Sequence, residues 1–547
     1  MKLLFLLLFP VLAFSQAADI VFTNAKVWTV DPAKPLAQAV ALKGERIVGV
    51  GTSSEMRVLV SSQTQVIDLG GRLMLPGFID NHTHFSSGGF QLQSVDLRDA
   101  TSEKEFARRI RERAVKYQKR WITGGDWDHD NWPGGNLPTK ELVDGFTPTT
   151  PVFVSRYDGH MVLVNTHVLK LAGITKDTPD PPGGSIVKDP KTGEPTGVLK
   201  DEAMSLVYAH IPDATEAELL DVVRLALAEA RKLGITSIQD ISSSSDLRAY
   251  QILRDNGELT ARFYCRLPLS QWENLSRSGI RVPFGDQWVR VGSLKAFADG
   301  SLGSSTALFF DPFTSDPGTK GLPSDILLDG RLERWALGAD KAHLQLSIHA
   351  IGDSANSRIL DLFARIIREN PAWDRRFRIE HAQHIHPKDF RRFAELGVIA
   401  SVQPFHAIDD GRWAEKRIGR ERSKTTYPFR SFLRNNVRMT FGSDWTVAPL
   451  SPLLGIYAAV ARRTTDGANP GGWFPEQKVT VEEAIRAYTI ENAYAAFEEH
   501  EKGSISPGKL ADFVVLSEDI LTINPIQIEK VQVEMTILGG RIIHKKP

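Results

Sequence analysis

The sequence contains a single cysteine, Cys265, among its 547 residues. An internal disulfide is therefore excluded, so stability must come mainly from core burial. Residues 262–265 form a strand-like run, and we interpret the thiol as a core residue, with a nucleophile or ligand as the alternative. Neither sign of charge is in excess, because 66 Lys and Arg residues balance 66 Asp and Glu residues. This balance argues against a nucleic-acid-binding protein and against a polybasic membrane-binding surface.

Long apolar runs are also scarce, and the most extended one lies at the N-terminus. Residues 3–14 follow Lys2 and have the length of the apolar segment of a signal peptide. The run is shorter than the roughly 20 residues that span a bilayer, so export with cleavage is favoured over a membrane anchor. Cleavage is expected before Gln16, with cleavage after Ala17 as the alternative. Residues 1–17 include both cleavage positions, and we assign this range to the signal peptide and expect the protein to be periplasmic or secreted.

The pattern of apolar segments predicts an α/β protein with two kinds of region. Short strands separated by glycine turns occur in residues 18–75 and again in residues 505–547, which predicts a small β-sandwich domain built from both chain ends. Residues 76–504 alternate apolar strands with amphipathic helices, which predicts a (β/α)₈ TIM-like barrel. The stretch at about 85–203 is longer than one βα unit needs and is rich in Trp, Gly and Pro. We expect it to be an insertion beside the barrel mouth.

The first candidate metal ligands along the sequence are His82 and His84. In a strand, residues two apart share a face, so both imidazoles would point the same way near a strand end. Active sites of such barrels lie at the carboxyl ends of the strands. Two imidazoles held in this way suit a divalent transition metal, especially zinc. A His-X-His pair alone is a modest signal, because such pairs also occur on surface strands and loops.

Three later positions strengthen the prediction of a metal site. His349, His381 and Asp444 each end an apolar strand and precede a polar or glycine-containing loop. Any one of them could be a polar residue with an ordinary hydrogen bond. Together with the His-X-His motif, at barrel-like spacing, they make a shared metal site the better interpretation.

These motifs resemble the amidohydrolase superfamily, in particular its YtcJ-like branch, amidohydrolase family 3, which is related to N-substituted formamide deformylases. The resemblance extends in order along nearly all of the mature chain, and it is specific for the branch but not for a substrate. The matching stretches are residues 75–80 with His82 and His84, residues 156–160 with Asn165, and residues 195–199, 295–304, 349–353, 378–383, 442–444 and 508–512.

The resemblance implies a role for Lys295 that spacing alone would not reveal. In members with two metal ions, a lysine at the matching strand end is carbamylated by carbon dioxide and bridges both ions. A lysine that binds an anionic substrate group is the alternative. The implied set for the more buried ion is His82, His84, Asp444 and carbamylated Lys295. The same carbamate, His349 and His381 would hold a second ion, so one or two Zn²⁺ ions are expected.

The leading hypothesis is hydrolysis of a C–N bond in an amide, formamide or N-acyl amine. A metal-activated hydroxide would attack the carbonyl, and Asp444 would act as general base and then as general acid. A lactonase or esterase with the same site is one alternative, and an exported, non-catalytic protein that binds a metal or another ligand is a second. The expected partner is a small-molecule substrate, without nucleic acid or stable membrane insertion. A homodimer is left open.

Several weaker candidates accompany this set. His160 and Trp127 are candidates for substrate contact, with a structural hydrogen bond and core packing as the respective alternatives. Asp299 and Gln403 are candidates for orienting ligands or substrate. The sequence assigns no role to His406. Trp132 and Phe405 are further candidates for an apolar pocket wall, and His384 and His386 are better suited to loop positions than to ligation.

Overall fold

The computed structural model describes residues 17–117, 120–129, 132–156, 161–181, 184–303 and 305–547. The predicted signal peptide lies outside the described residues, except for Ala17. The chain separates into two compact units: unit 1 comprises Met1–Phe85 and Ala226–Pro547, and unit 2 comprises Ser86–Leu225. Most of the stretch that we expected to be an insertion, at about 85–203, therefore belongs to unit 2.

Two sheets of unit 1 are built from the ends of the chain. The N-terminal sheet has the strand order Arg46–Gly51, Ala39–Lys43, Ile20–Thr23 and Gln65–Asp68. The two-ended sheet has the order Arg541–Lys545, Val533–Leu538, Phe513–Leu516, Leu73–Pro76, Lys26–Trp28 and Leu36–Ala37.

Strands from the two ends of the chain meet inside the two-ended sheet. Strand Leu73–Pro76 pairs antiparallel with Phe513–Leu516. One buried hydrophobic cluster contains side chains from both of these sheets, and Phe22 contacts Phe513 edge to face with ring centroids 6.3 Å apart. In the N-terminal sheet, Val40 and Leu42 belong to this cluster, whereas Ala39 and Ala41 belong to a second buried cluster, because successive side chains of a strand point to opposite faces.

The other strands of unit 1 form two largely parallel sheets. The first parallel sheet has the order Phe284–Gly285, Val289–Val291, Arg262–Arg266, Ile235–Ile241 and Phe78–Thr83, and its first strand is antiparallel to the second. The second parallel sheet has the order Leu294–Phe297, Leu346–Ala350, Arg378–His381, Ile399–Val402 and Met439–Phe441.

Two isolated bridges connect the two parallel sheets. Pro268, which follows strand Arg262–Arg266, pairs with Lys295, and Thr83 pairs with Trp445. Apart from the exposed strand Phe284–Gly285, their strands are largely buried, as expected when both faces of a sheet are covered. Parallel strands that alternate with helices confirm the expectation of an α/β protein. The carboxyl ends of the strands carry most of the residues that the sequence singled out.

Helices connect the strands of unit 1, and several begin at side-chain caps. Thr480 caps one of them reciprocally with Glu483, as in a capping box. The α-helices are Ser53–Met56, Ser244–Asp255, Trp272–Arg277, Asp325–Leu328, Arg331–Lys341, Asp353–Glu369, Asp389–Glu395, Pro404–Asp410, Ala414–Ile418, Arg420–Ser423, Phe429–Arg434, Pro452–Ala461, Val481–Ala487 and Ile490–Ala495. The 3₁₀-helices are Arg57–Leu59, Leu269–Gln271, Pro475–Gln477 and Pro525–Lys530.

Unit 2 contains one sheet with the order Gly184–Lys188, Pro195–Asp201, Met161–Val164, Phe153–Arg156, Gly124–Trp127 and Val95–Asp96. Its helices are Glu103–Lys116, Glu141–Asp144, Thr166–Leu171 and Ser205–Tyr208, with a 3₁₀-helix at Glu202–Met204. The helices Phe85–Gln93 and Glu216–Lys232 contain the sequence positions at which the two units divide.

Two predictions from composition can be compared with these elements. Cys265 is fully buried in strand Arg262–Arg266, and burial raises the pKa of its thiol well above the ordinary value. This confirms the interpretation of a buried core thiol. Among the described residues, no helix combines the length and the apolar character that crossing a membrane requires.

Candidate metal centre

His82 and His84 lie where strand Phe78–Thr83 of the first parallel sheet ends. The main chain fastens this strand end to the segment that follows Met439–Phe441, because Asp444 N donates to His82 O at 2.7 Å. Backbone contacts as well as side chains therefore hold Asp444 beside the His-X-His motif.

Donor atoms of three buried residues lie within 4.8 Å of one another, one each from His82, His381 and Asp444. Asp444 Oδ1 is 3.5 Å from His82 Nε2 and 3.4 Å from His84 Nε2. This oxygen is buried and has no hydrogen-bond partner within the part of the chain that the structure describes. A buried carboxylate oxygen among imidazole nitrogens fits the donor set of a divalent transition metal such as zinc. We therefore identify these residues as a candidate site for a divalent ion.

The backbone turns sharply where two of these side chains enter the site. His381 has φ +71° and Asp444 has φ +58°, which places both in the left-handed region. Residues other than glycine adopt this conformation at a cost, and such positions are concentrated at functional sites. Gly442 permits the close approach of the two strand ends, because a Cβ there would lie 2.6 Å from the backbone nitrogen of His82.

Glu380 orients the ring of His82. Glu380 Oε2 lies 2.5 Å from His82 Nδ1 and accepts a hydrogen bond from Ser401 Oγ at 2.7 Å. Arg266 and Arg378 lie 2.9 and 3.0 Å from Glu380 Oε1, and the carboxylate is fully buried. Because the carboxylate accepts a hydrogen bond from Nδ1–H, the lone pair of His82 is on Nε2, which points to the side where Asp444 lies.

Gln403 holds the ring of His381 in a similar way. His381 Nδ1 lies 2.8 Å from Gln403 Oε1, so the amide oxygen accepts a hydrogen bond from Nδ1–H. Gln403 lies between strand Ile399–Val402 and helix Pro404–Asp410, and it is 1% exposed. The lone pair of His381 Nε2 is thereby available to a cation. Sequence reasoning named Gln403 as a ligand-orienting or substrate-contacting residue, and the structure places it against His381.

Lys295 and His349 lie on neighbouring strands of the second parallel sheet. Lys295 Nζ is buried and has no hydrogen-bond partner among the described residues. Burial lowers the pKa of Lys295 to about 7, and the positive charge of Arg266 acts in the same direction, against the opposing charge of Glu380. The ring of His349 lies 4.5 Å from the ring of His381, centroid to centroid. Both residues line the same cavity as the three donors, and His349 contributes no atom to the donor cluster.

Burial also sets the protonation of the histidines. It lowers the pKa of His82 and of His349 to about 3, and it lowers the pKa of His381 well below the ordinary value. Burial opposes ionisation of Asp444, but the surrounding imidazoles, led by His82, outweigh it and lower the pKa of this carboxyl. Neutral imidazoles and an ionised carboxylate are the states that bind metal ions.

A cavity of about 440 Å³ opens beside the donor cluster, and those of its lining residues that the structure describes belong to unit 1. Apolar side chains form part of its wall, among them Phe297, Phe405 and Trp413. Its lining also includes all six predicted ligands: His82, His84, Lys295, His349, His381 and Asp444. The size and the mixed lining fit a small molecule that contacts the candidate metal site.

The carboxylate of Asp299 binds backbone N–H groups of two loops near this cavity. Its carboxylate accepts hydrogen bonds from the backbone nitrogens of Leu308, Ile351 and Gly352, and His349 Nε2 lies 3.5 Å away. Burial raises the pKa of Asp299 to about 7 against these three bonds. Asp299 is not among the described residues that line the cavity. The structure therefore shows Asp299 holding the backbone at Leu308 and at residues 351–352, close to His349.

The aromatic candidates have different positions. Trp127 is fully buried in the core of unit 2, where its Nε1 donates to Val154 O at 2.9 Å, and Trp132 belongs to the same cluster. Both are core residues of that unit, which is the alternative that the sequence left open. Phe405, in contrast, lines the cavity of unit 1. His160 lies outside the described residues.

Sequence reasoning missed the buried charged group behind His82, which comprises Glu380, Arg266 and Arg378. A signal for it exists in the strand Arg378–His381. Arg378 and Glu380 are two residues apart and share a face of the strand. Opposite charges on one face of a parallel strand indicate an internal ion pair, because both faces of such a strand are buried.

A comparison with protein families finds a match between residues 65–544 and the family described as Amidohydrolase family. Three curated relatives align along most of the chain. Protein LONG AFTER FAR-RED 3 of Arabidopsis thaliana is 38% identical over 91% of this chain and 87% of its own length. Putative amidohydrolase YtcJ of Bacillus subtilis (strain 168) is 31% identical over 93% of this chain and 96% of its own length. N-substituted formamide deformylase of Arthrobacter pascens is 28% identical over 97% of this chain and 99% of its own length.

Solved structures also match the whole fold. The crystal structure of an uncharacterized metal-dependent hydrolase from Pyrococcus furiosus superposes with a TM-score of 0.77 at 28% sequence identity. The superposition covers 92% of this chain and all of the other chain.

Proposed function

This chain belongs to the amidohydrolase family, as a YtcJ-like member, and we propose that it hydrolyses a carbon–nitrogen bond of a small amide, formamide or N-acyl amine. The family and the structural relatives indicate a metal-dependent hydrolase. The observation that carries the proposal is the buried cluster of His82, His381 and Asp444, in which Asp444 Oδ1 lacks a partner among the described residues. The relative named as a formamide deformylase supports the choice of bond.

The donor chemistry identifies the residues that would hold a metal ion. His82, His381 and Asp444 would be the central ligands, with His84 within 3.4 Å of the same carboxylate oxygen. We propose zinc, because imidazole nitrogens and a carboxylate oxygen in a buried site suit it. When bound, such an ion would supply Lewis acidity and would make a water molecule more acidic.

The protein's own part in the reaction centres on Asp444. Its Oδ1 faces the imidazoles, and we propose that Oδ2 accepts a proton from the attacking water and then delivers it to the leaving nitrogen. Glu380 and Gln403 keep the rings of His82 and His381 in fixed tautomers throughout. The apolar cavity wall excludes water from one side of the substrate.

We propose a carbamate on Lys295 as part of this site. The amine lines the cavity, it is buried, and it lacks a hydrogen-bond partner among the described residues. Burial lowers the pKa of Lys295 to about 7, which makes the neutral amine that reacts with carbon dioxide accessible near neutral pH. A carbamate would provide two oxygens where an ammonium group has no lone pair. It would let Lys295 and His349 hold a second ion.

Two further proposals concern the architecture and the location of the protein. We propose that the two parallel sheets form one (β/α)₈ barrel, supported by the bridges from Pro268 to Lys295 and from Thr83 to Trp445. We also propose that the N-terminal and two-ended sheets form a β-sandwich, supported by their shared hydrophobic cluster. Export remains our proposal from the apolar run at residues 3–14, and sequencing of the mature N-terminus would test it.

Metal analysis and a substrate panel together test the proposed function. Purified protein should contain close to one or two equivalents of divalent metal, should lose activity on chelation, and should regain it with zinc. A panel of formamides and N-acyl amines, matched with esters and lactones of the same acyl groups, should show faster turnover of the nitrogen compounds. Faster turnover of esters or lactones would favour the alternative reaction. Stoichiometric metal without turnover on either set would favour a non-catalytic binding protein.

A further inference from the structure

We propose that His406 is a further catalytic residue, whose Nε2–H donates a hydrogen bond to the carbonyl oxygen of the substrate and to the oxyanion that forms from it. The inference deepens the proposed function and rests on it, because it assumes that a carbonyl compound binds beside Asp444. His406 lines the cavity together with the candidate metal ligands, and its side chain is 12% exposed.

The first observation is a nitrogen that has no partner. His406 Nε2 is buried and makes no hydrogen bond within the described ranges of the chain. Asp444 Oδ2 is 4.0 Å away, which is too far for a hydrogen bond. A buried polar atom without a partner is costly, and the cost is recovered when a ligand supplies the partner.

The second observation is that the neighbouring imidazoles already have identified contacts. His82 Nδ1 binds Glu380, His381 Nδ1 binds Gln403, and His84 Nε2 lies 3.4 Å from Asp444. His406 differs from these three because its cavity-side nitrogen is neither in the donor cluster nor hydrogen-bonded in the described structure. Its nitrogen is therefore suited to a group that arrives with the substrate.

The third observation is that the backbone of His406 is positioned by a residue that also orients a metal ligand. Gln403, whose side-chain oxygen accepts a hydrogen bond from His381 Nδ1–H, directly precedes helix Pro404–Asp410. His406 lies in the first turn of this helix. A rigid link of three residues thus fixes His406 relative to the donor cluster, and fixed donors stabilise a developing charge without reorganising.

The fourth observation is a carboxylate on the same helix face. Asp410 is four residues after His406, so the two side chains lie on one side of the helix, and both line the cavity. Asp410 Oδ2 accepts hydrogen bonds from Tyr427 Oη at 2.6 Å and from Gln383 Nε2 at 3.0 Å. Its negative charge makes the neighbouring imidazole a better hydrogen-bond donor.

The role assigned to His406 requires no proton transfer. Attack on the carbonyl carbon moves the π electrons of the C=O bond onto oxygen, and the His406 N–H would donate to that oxygen before and after the attack. The proton stays on His406, and Asp444 remains the residue that moves protons. Loss of one such donor typically lowers kcat about 100-fold or more.

Two substitutions test this role, His406→Phe and His406→Gln. The Phe variant keeps a planar ring without the donor, and the Gln variant restores an N–H group near the position of Nε2. The variant His386→Phe is the control, because it removes a histidine of unit 1 that does not line the cavity among the described residues. With the best substrate of the panel, kcat of H406F should fall about 100-fold with KM within about threefold of wild type. H406Q should be intermediate, and H386F should match wild type.

Two readouts other than turnover separate this role from its alternatives. Metal content of H406F should equal that of wild type, and loss of metal would overturn the proposal by making His406 a ligand. Calorimetry with methylphosphonate, whose tetrahedral oxyanion resembles the intermediate, should show about tenfold weaker binding to zinc-loaded H406F than to zinc-loaded wild type. Equal affinity, or an unchanged kcat, would overturn the proposal.

The same measurements distinguish a failure of this inference from a failure of the proposed function. A wild-type protein that holds zinc but hydrolyses neither amides nor esters contradicts the proposed function. The methylphosphonate comparison then still decides whether His406 contacts a tetrahedral oxyanion, because it does not depend on turnover.

Discussion

Glu380 and His82 are separated by 2.5 Å, from carboxylate Oε2 to imidazole Nδ1, with both side chains almost fully excluded from solvent. The contact keeps the proton of His82 on Nδ1, on the side away from Asp444. The lone pair of Nε2 is then on the side of Asp444, where it could bind a metal ion. Burial opposes ionisation of Glu380, but Arg266 and Arg378 outweigh it and hold the pKa of Glu380 well below the ordinary value. An ionised Glu380 thus keeps His82 in one tautomer.

Substitution Glu380→Gln should weaken metal binding. The amide presents a weaker acceptor to His82 and a mismatched donor to the two arginines, so we expect metal affinity to fall about 10- to 100-fold. Competition with a chromophoric chelator measures this affinity. The matched control is Asp340→Asn, which removes an equally buried acid that binds Arg375 outside the cavity lining. The control should lower stability and leave metal affinity unchanged; an equal loss of affinity in both variants would mean that Glu380 acts only through folding.

Substitution Lys295→Ala should remove part of the metal site. If a carbamate on Lys295 bridges two ions, the variant should lose at least one equivalent of metal, and activity should fall by about 100-fold or more. Added acetate should restore part of the activity, because it supplies a carboxylate in the vacated space. Carbon-13 NMR of protein equilibrated with labelled bicarbonate should show a carbamate signal that the variant lacks. Full metal content together with full activity in Lys295→Ala would exclude the carbamate.

Substitution Asp512→Asn should strongly destabilise unit 1. Asp512 accepts hydrogen bonds from Arg262 Nε at 2.8 Å and Nη2 at 3.0 Å, and both side chains are buried. Removing one partner leaves a buried guanidinium uncompensated, which typically costs about 3–5 kcal/mol. Urea denaturation measures the loss. The exposed pair of Asp19 and Lys43 is the control, and Asp19→Asn should change the free energy of unfolding far less.

His384 should make the stability of the protein sensitive to mild acid. Burial, with a smaller contribution from Arg422, lowers the pKa of His384 to about 3 in the folded protein. The unfolded chain, with an ordinary pKa near 6.5, takes up the proton first, so this contribution to stability is present above pH 6.5 and is lost as the pH falls toward 3. Nδ1 donates to Thr426 and Nε2 accepts from Gln383, so the folded site has no acceptor for a second proton.

The test compares wild type with His384→Asn at pH 7 and at pH 5. Wild type should lose about 2 kcal/mol more than the variant over this interval, because the variant has no group that titrates there. The variant Ile385→Val, at the adjacent buried position, should keep a constant difference from wild type. A constant difference for His384→Asn as well would contradict the expectation.

Much of the site could be predicted from the sequence, because strand ends are local features. His82, His349, His381 and Asp444 each follow an apolar run, and the carboxyl ends of parallel strands meet at one edge of a sheet. The structure gathers these residues around one cavity. Family membership was predicted from the same motifs and is confirmed.

Other parts of the site could not be predicted, because they depend on contacts between distant strands. Glu380 has a local partner in Arg378, but its contact with Arg266 forms only when the two parallel sheets are assembled, and nothing in either segment indicates that pairing. Trp127 shows the converse problem. An aromatic residue in a glycine-rich segment resembles a pocket wall, and only the packing of unit 2 reveals its position in a core. The sequence likewise does not indicate that His406 Nε2 is buried without a hydrogen-bond partner among the described residues.

Strand Leu73–Pro76 leads directly into the strand that carries His82, yet its neighbour in the sheet is Phe513–Leu516, and Gly77 N donates to Asp512 O. During synthesis, His82 and His84 are therefore made early, whereas Phe513–Leu516, the strand that pairs with the segment before them, is made almost last. Until residues 513–516 arrive, Leu73–Pro76 has an unpaired, apolar edge that can join another chain. We therefore expect incomplete chains to associate through this edge more readily than the finished protein does.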